Sequence, residues 1–289
     1  MGTDQTSKQA QDSAMNTPKG SGPSIAVTHF AGRAGDHNDH AMAASPRLAA
    51  ALADYYRVTP FVIGSPRPAL STTWDIELAA ARDELTQMRD HYQVLLAQDK
   101  TPVTALSRCA VALTTLPVVA EHRPDAVVVW FDAHADLNTP ETTTTGYLGG
   151  LALSGPLGLW DCGLGTGLAT ANTVLAGVRD IDPPETDFIN SSDLTLVPPG
   201  PDFGDRLGHA VAGRPAYIHI DCDVLNPGIV PTDYHVPGGL RLADLHDAAT
   251  ALAFSEIVGI EIGELETTTG DEDLNPLLSA LAPILDSLR

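Results

Sequence analysis

Short apolar runs and amphipathic segments take turns along this chain, and that alternation constrains its fold more than any other feature. Runs at Ile25–Phe30, Thr59–Ile63, Pro102–Ser107, Val127–Phe131, Thr173–Val178, Leu194–Pro198, Ala216–Asp221 and Ile257–Ile262 read as strands. Helices are expected at Ala43–Tyr56, Trp74–Leu96, Ala110–His122, Pro184–Ser191, Arg206–Ala212, Leu242–Ala253 and Asn275–Leu288, with Gly and Pro as punctuation. Strands separated by helices pair in parallel through crossovers, and helices cover both faces of such a sheet. The pattern therefore predicts a three-layer αβα fold of the α/β class, with a central, mostly parallel sheet of about eight strands. One domain is expected over residues 24–289. Residues 1–23 are rich in Ser, Thr, Gln, Gly and Lys and poor in large apolar residues, which predicts a disordered arm.

Right-handed crossovers place the C-terminal ends of all strands along one sheet edge, where ligands bind in folds of this kind. Three strands end there in chemistry. The run Val127–Phe131 closes on Asp132-Ala133-His134-Ala135-Asp136, the run Ile218–Ile220 on Asp221-Cys222-Asp223, and Ile260–Ile262 leads to Glu264. In an extended chain Asp132, His134 and Asp136 share one face, as do Asp221 and Asp223. Burying such charge without a partner is costly. Four aspartates and a histidine carry a formal charge near −4, which a pair of divalent cations would neutralise. Oxygen donors with some imidazole favour Mn²⁺ over a structural zinc, and such a pair lowers the pKa of water. Cys109 follows the strand immediately before the Asp132 strand and is expected beside Asp132.

Composition excludes several functions. With 37 acidic and 16 basic residues and a net charge of −21, neither nucleic acid nor an anionic membrane is an expected partner. No apolar run is long enough for a membrane span, and the N-terminus lacks a signal-peptide core. Three scattered cysteines, Cys109, Cys162 and Cys222, suit a reducing cytoplasm better than a disulfide framework.

Asp132-Ala133-His134-Ala135-Asp136-Leu137-Asn138-Thr139-Pro140 resembles the central signature of the arginase/agmatinase (ureohydrolase) family. Asp221-Cys222-Asp223 and Glu261-x-x-Glu264 fall where that family has its second aspartate pair and its guanidinium-binding glutamate, and the likeness runs from Ser24 to the C-terminus. The resemblance implies a binuclear manganese centre, hydrolysis of a guanidino C–N bond in a small-molecule substrate, and homotrimers or hexamers. Carried over residue by residue, it implies that Asp132 and Asp221 bridge the metals, that Cys109 and Asp136 belong to the first, and that His134 and Asp223 belong to the second. Asp132, His134, Asp221 and Glu264 would then be catalytic, with Glu264 holding the guanidinium. Asn138 and Thr145 match positions that bind an amino-acid carboxylate, and Asp182 and Glu185 match positions that recognise an α-amino group. Both sets together point to an arginine-like amino acid over agmatine.

Two departures qualify that likeness. The family's first metal histidine stands about two dozen residues ahead of the central signature, and this chain has Cys109 there. A thiolate is a softer ligand; a neutral cysteine would leave the first metal loosely held. The position of the family's proton-shuttling histidine is Gly149. Both departures resemble a branch of the family that acts on Nω-hydroxy-L-arginine, yielding L-ornithine and hydroxyurea, and that likewise carries a cysteine. A hydroxyguanidine is less basic than a guanidine, so its neutral form is more accessible near neutral pH and the demand for a shuttle relaxes. Arginine, agmatine or another guanidino compound is the alternative substrate; a non-catalytic metal- or ligand-binding relative is the alternative class.

Other polar residues carry plainer expectations. The loop Gly35-Asp36-His37-Asn38-Asp39-His40 reads as turn and N-cap material before it reads as metal ligands. Cys222 should pack on the far side of its strand, Cys162 should be structural, and His219 should be a satisfied strand histidine. His235 lies on the loop after Asp223, within reach of the pocket, and Glu141 and Tyr147 could line its entrance.

Overall fold

The computed structural model describes Met1 and residues 24–270 and 272–289; the expected N-terminal arm otherwise lies outside the described residues. Eight strands form one parallel sheet: β1 Ile25–Phe30, β2 Phe61–Ile63, β3 Thr101–Ala105, β4 Val127–Phe131, β5 Thr173–Ala176, β6 Thr195–Val197, β7 Ala216–Asp221 and β8 Ile257–Gly263. Among the described residues seven α-helices accompany them: α1 His40–Tyr56, α2 Trp74–Ala97, α3 Ala112–His122, α4 Pro183–Ser191, α5 Phe203–Val211, α6 Leu242–Leu252 and α7 Asn275–Ser287. The first six lie between strands and α7 follows β8, while β4 runs to β5 through loops and short 3₁₀ turns. The expected elements all form, with ends shifted by a few residues. At the start of α3, Cys109–Val111 winds into a separate 3₁₀ turn.

The helices cover both faces of the sheet. On one face Leu48 and Leu52 of α1, Leu207 of α5, Leu245 of α6 and Leu281 of α7 pack on Val103, Val129, Ile218 and Ile260. On the other, Leu85 and Met88 of α2 and Leu113 and Leu116 of α3 pack on Val128, Trp130 and Tyr217. Cys222 belongs to the first layer and Cys162 to the second, both as buried packing groups. No helix among the described residues is long and apolar enough to cross a membrane.

Strand order positions the site. The sheet runs β2-β1-β3-β8-β7-β4-β5-β6. After β3 the chain therefore jumps over two strand positions to lay down β4, and β8 and β7 later fill the gap. That reversal is a topological switch point, and the four loops beyond it converge. β3 and β4 are therefore separated in the sheet by β8 and β7. Cys109 lies beside Asp132 as expected, because the turn after β3 leans across the ends of β8 and β7.

Candidate active site

β4 stops at Phe131, and the acidic signature lies in the loop beyond it. The Asp132 carboxylate accepts the His134 backbone N–H at 2.6 Å, which curls the chain at once. Asp136 then sits at φ +52°, in the left-handed region. Asp132, His134 and Asp136 are thus brought together by a tight loop and not by an extended strand end. Asp221 closes β7 and accepts the backbone N–H of Asp223 at 2.7 Å, the same local device.

Among the described residues, two groups have donor atoms close enough to hold an ion. Cys109, Asp132 and Asp221 make one, and Asp132, His134 and Asp223 the other, each within 4.8 Å. Asp132 is common to both, as a bridging ligand would be. Asp136 stands outside both groups but lines the same cavity of about 410 Å³. Cys109, His134, Asn138, Thr145, Asp182, Glu185, Asp221 and Glu264 line it too, joined by Tyr147, Gly149, Asp180, Tyr234 and His235. Glu141 does not. A larger groove of about 1200 Å³ beside α5 and α6 contains none of these groups.

The electrostatics are those of a cation centre. Burial, reinforced by Asp223, pushes the Asp132 carboxyl up to about 6, and burial with neighbouring Asp132 drives Asp136 higher. Asp221 is raised well above the carboxylate range by burial and by Asp223 and Asp132. Burial opposes a charged His134, but Asp132 and Asp223 outweigh it and hold the imidazole far above its usual range. Its Nδ1 lies 3.1 Å from Asp223 Oδ2 and 3.3 Å from Asp132 Oδ1. Burial and then Asp221 push the Cys109 thiol well up. This much negative charge in so little space is relieved by protons or by metal ions. The carboxylate oxygens and the imidazole suit a hard or borderline divalent ion such as Mn²⁺, and the Cys109 sulfur is the softer member of the donor set.

Glu264 is held in place before any ligand arrives. Its Oε2 accepts from Arg108 Nη1 at 2.7 Å and its Oε1 from the Cys109 backbone N–H at 2.7 Å. Arg108 is fully buried and also bonds Asp36 at 3.0 Å and Glu266 at 2.9 Å. Asp36 is thus a structural partner of Arg108, and His37 packs on Tyr147 with ring centroids 4.3 Å apart. Neither joins the two ion-holding groups, in keeping with the plainer reading of that loop.

At the opposite side of the cavity, Asn138 Nδ2 donates to Asp182 Oδ2 at 2.8 Å. Glu185 accepts the backbone N–H groups of Leu137 and Asp182, both at 2.9 Å. The second of these caps the start of α4. The bonds from Leu137 and Asn138 tie the helix to the loop after β4, so Asp182 and Glu185 line the cavity from a rigid support.

Sequence reasoning missed the role of His219. Parallel register sets Trp130, His219, Glu261 and Thr104 side by side across β4, β7, β8 and β3. His219 Nδ1 lies 2.7 Å from Glu261 Oε1, and Nε2 lies 3.0 Å from Cys109 Sγ. Its ring stacks on Trp130 at 3.6 Å with a 4° tilt. Glu261 Oε2 accepts from Thr115 Oγ1 and Tyr217 Oη, both at 2.8 Å. A carboxylate only accepts, so it fixes the proton on His219 Nδ1 and leaves Nε2 as an acceptor for the Cys109 S–H, which Asp221 Oδ2 also faces at 3.4 Å. The strand histidine is satisfied, as expected, but its second partner is a candidate ligand. The available signal was its place two residues before Asp221, on the same strand face.

A parallel α/β sheet whose switch point gathers buried aspartates, a histidine and a cysteine around a small polar cavity is an arrangement able to hold divalent cations. The sequence profile of the arginase family matches residues 65–281. The N(omega)-hydroxy-L-arginine amidinohydrolase of Streptomyces lavendulae is 38% identical over 260 residues, covering 89% of this chain and 95% of that one. Among solved structures, the arginase from Bacillus cereus is similar at a TM-score of 0.74 and 22% identity, covering 92% of this chain and 97% of that one. The proclavaminate amidino hydrolase from Streptomyces clavuligerus has a TM-score of 0.69 at 18% identity, with 94% of each chain covered. The chain belongs to the arginase family, hydrolases of amidino carbon–nitrogen bonds.

Proposed function

We propose that this protein uses Mn²⁺ to hydrolyse the guanidino C–N bond of Nω-hydroxy-L-arginine, giving L-ornithine and hydroxyurea. The observation that carries the reading is Cys109. Its sulfur joins Asp132 and Asp221 in one donor group where the wider family uses an imidazole, and the 38% identical relative is named for this substrate. Glu264 adds support. Arg108 and the Cys109 N–H already engage both its oxygens, so less of its charge is available to a fully cationic guanidinium. A less basic hydroxyguanidine needs less.

Cys109, Asp132, Asp136 and Asp221 would hold one Mn²⁺, and Asp132, His134, Asp221 and Asp223 the other. Bound there, the ions supply Lewis acidity and an acidified water at neutral pH. The chain's own groups do the rest. Glu264 orients the guanidino carbon, while Asn138 and Thr145 take the α-carboxylate and Asp182 and Glu185 the α-amino group. His219 Nε2, 3.0 Å from the Cys109 sulfur, would hold that sulfur in place beside Asp132 and Asp221. Tyr234, stacked edge-on to His134 with centroids 5.1 Å apart, walls the cavity from solvent.

Turnover of the Mn²⁺-loaded protein with Nω-hydroxy-L-arginine and L-arginine in parallel, detecting ornithine, tests the reading. Preference for the hydroxylated substrate is expected. Preference for arginine would overturn the substrate assignment, and no turnover of either with metal bound would point to another guanidine or to a binding role.

A further inference from the structure

The family's shuttle position, Gly149, does not leave a hole. A Cβ built on Gly149 would fall 2.3 Å from Tyr147 Cε1, 2.7 Å from its Cζ and 3.0 Å from its Oη. The phenol ring therefore occupies the volume that a side chain at this position would need. Gly149 begins a right-handed 3₁₀ turn and needs no special backbone freedom; the glycine is required by the ring. His37 and Tyr234 pack around the ring at centroid distances of 4.3 and 5.8 Å. Enclosed this way, the Tyr147 hydroxyl oxygen is buried and has no hydrogen-bond partner.

An unpaired buried hydroxyl is costly, and in a cavity wall it marks the place of a group supplied from outside. Its surroundings say which group. Tyr147 lines the same cavity as Cys109, Asp221 and Glu264, and the charges that act on its phenol most strongly are Glu264 and Arg108. It therefore borders the part of the cavity near Glu264. Burial keeps the phenol neutral, so it both donates and accepts one hydrogen bond.

We infer that Tyr147 is a specificity-determining residue whose hydroxyl pairs with the N-hydroxyl group of the substrate. The inference rests on the hydroxyguanidine reading above. A small turn of the ring within the His37–Tyr234 cluster brings the hydroxyl to the substrate oxygen. L-arginine lacks that oxygen and leaves the phenol unpaired, which is how a site built around a hydroxyl rejects the analogue without it.

The test compares wild type, Tyr147→Phe and Gly149→Ala on both substrates, as kcat/KM of the Mn²⁺-loaded enzyme and by calorimetric binding to chelator-treated protein. Phenylalanine keeps the ring and its packing, and thermal unfolding checks that the fold survives. Loss of one neutral hydrogen bond should lower the hydroxyarginine-to-arginine ratio roughly tenfold. Gly149→Ala should lower it similarly while retaining the hydroxyl, because the new methyl expels the ring. Wild-type preference that persists in both variants would overturn the role of Tyr147 and leave the substrate reading intact. A wild type without preference would overturn both.

Discussion

Replacing His219 by Phe isolates the polar work of the buried row behind the metal site. Phenylalanine preserves the ring stacked on Trp130 at 3.6 Å and removes both nitrogens. Glu261, itself fully buried, then keeps the Thr115 and Tyr217 hydroxyls but loses the 2.7 Å imidazole bond. A hydrogen bond to a buried charged group is worth about 1.5–3 kcal/mol, and leaving the acceptor unmet adds to that, so a loss of about 3 kcal/mol is expected. For a domain of this size that lowers Tm by roughly 6 °C or more. Glu261→Gln in the same background removes the unmet charge and should recover part of the loss, giving a coupling energy above about 1 kcal/mol. The assay is thermal unfolding of the four chelator-treated proteins, followed by Mn²⁺ titration. Because His219 touches Cys109, metal affinity at the cysteine group should also fall by roughly 10–100-fold, the usual cost of an outer-shell partner. Additive effects within about 0.5 kcal/mol, or a Tm unchanged by His219→Phe, would refute the reasoning.

Two further outcomes follow from the site. Cys109→His restores the imidazole of the wider family and should shift preference from hydroxyarginine towards arginine; an unchanged ratio of kcat/KM for the two substrates would count against the assigned role of the sulfur. Stabilisation by Mn²⁺ should grow with pH. Burial raises the folded-state pKa of Asp132 to about 6 and also raises those of Asp136 and Asp221. Their contribution to the metal-free protein is therefore fully present below the ordinary carboxylate range and lost as pH rises through about 6 and above. Bound metal replaces those protons, so the Mn²⁺-induced gain should increase by about 1.4 kcal/mol per pH unit for each proton released. Differential scanning calorimetry with and without Mn²⁺ at about pH 5 and about pH 8 reads the trend, and an equal gain at both would contradict it.

Much of this was legible in the sequence because the information is local. Each strand shows as an apolar run, and each acidic motif sits at a strand end, so parallel topology alone brings Asp132, Asp221 and Glu264 to one edge. What was not legible depends on strand order. The sequence gives no order for the strands in the sheet, and β8 and β7 lie between β3 and β4. That insertion creates the row Trp130–His219–Glu261–Thr104 and so the contact between His219 and Cys109. The left-handed turn at Asp136 was equally hidden, since Asp tolerates that conformation without a sequence mark. Arg108 was hidden by its own chemistry, because a buried arginine becomes credible only when Asp36, Glu264 and Glu266 are seen to surround it.

The two departures from the family pattern are linked by where their replacements stand. An imidazole is missing from position 109, yet His219 presents one to the sulfur that took its place, anchored by Glu261 three residues ahead of Glu264. A second is missing from position 149, and the Tyr147 phenol fills the space left there. At position 109 a metal-binding imidazole gives way to a thiol paired with His219, and at position 149 a shuttling imidazole gives way to a phenol. On the proposed reading both changes suit a hydroxyguanidine, which is less basic than a guanidine and offers a hydroxyl to be recognised. Reversing the pair should then move the kcat/KM ratio towards arginine further than reversing either one alone, and a pair no different from the single variants would refute the link.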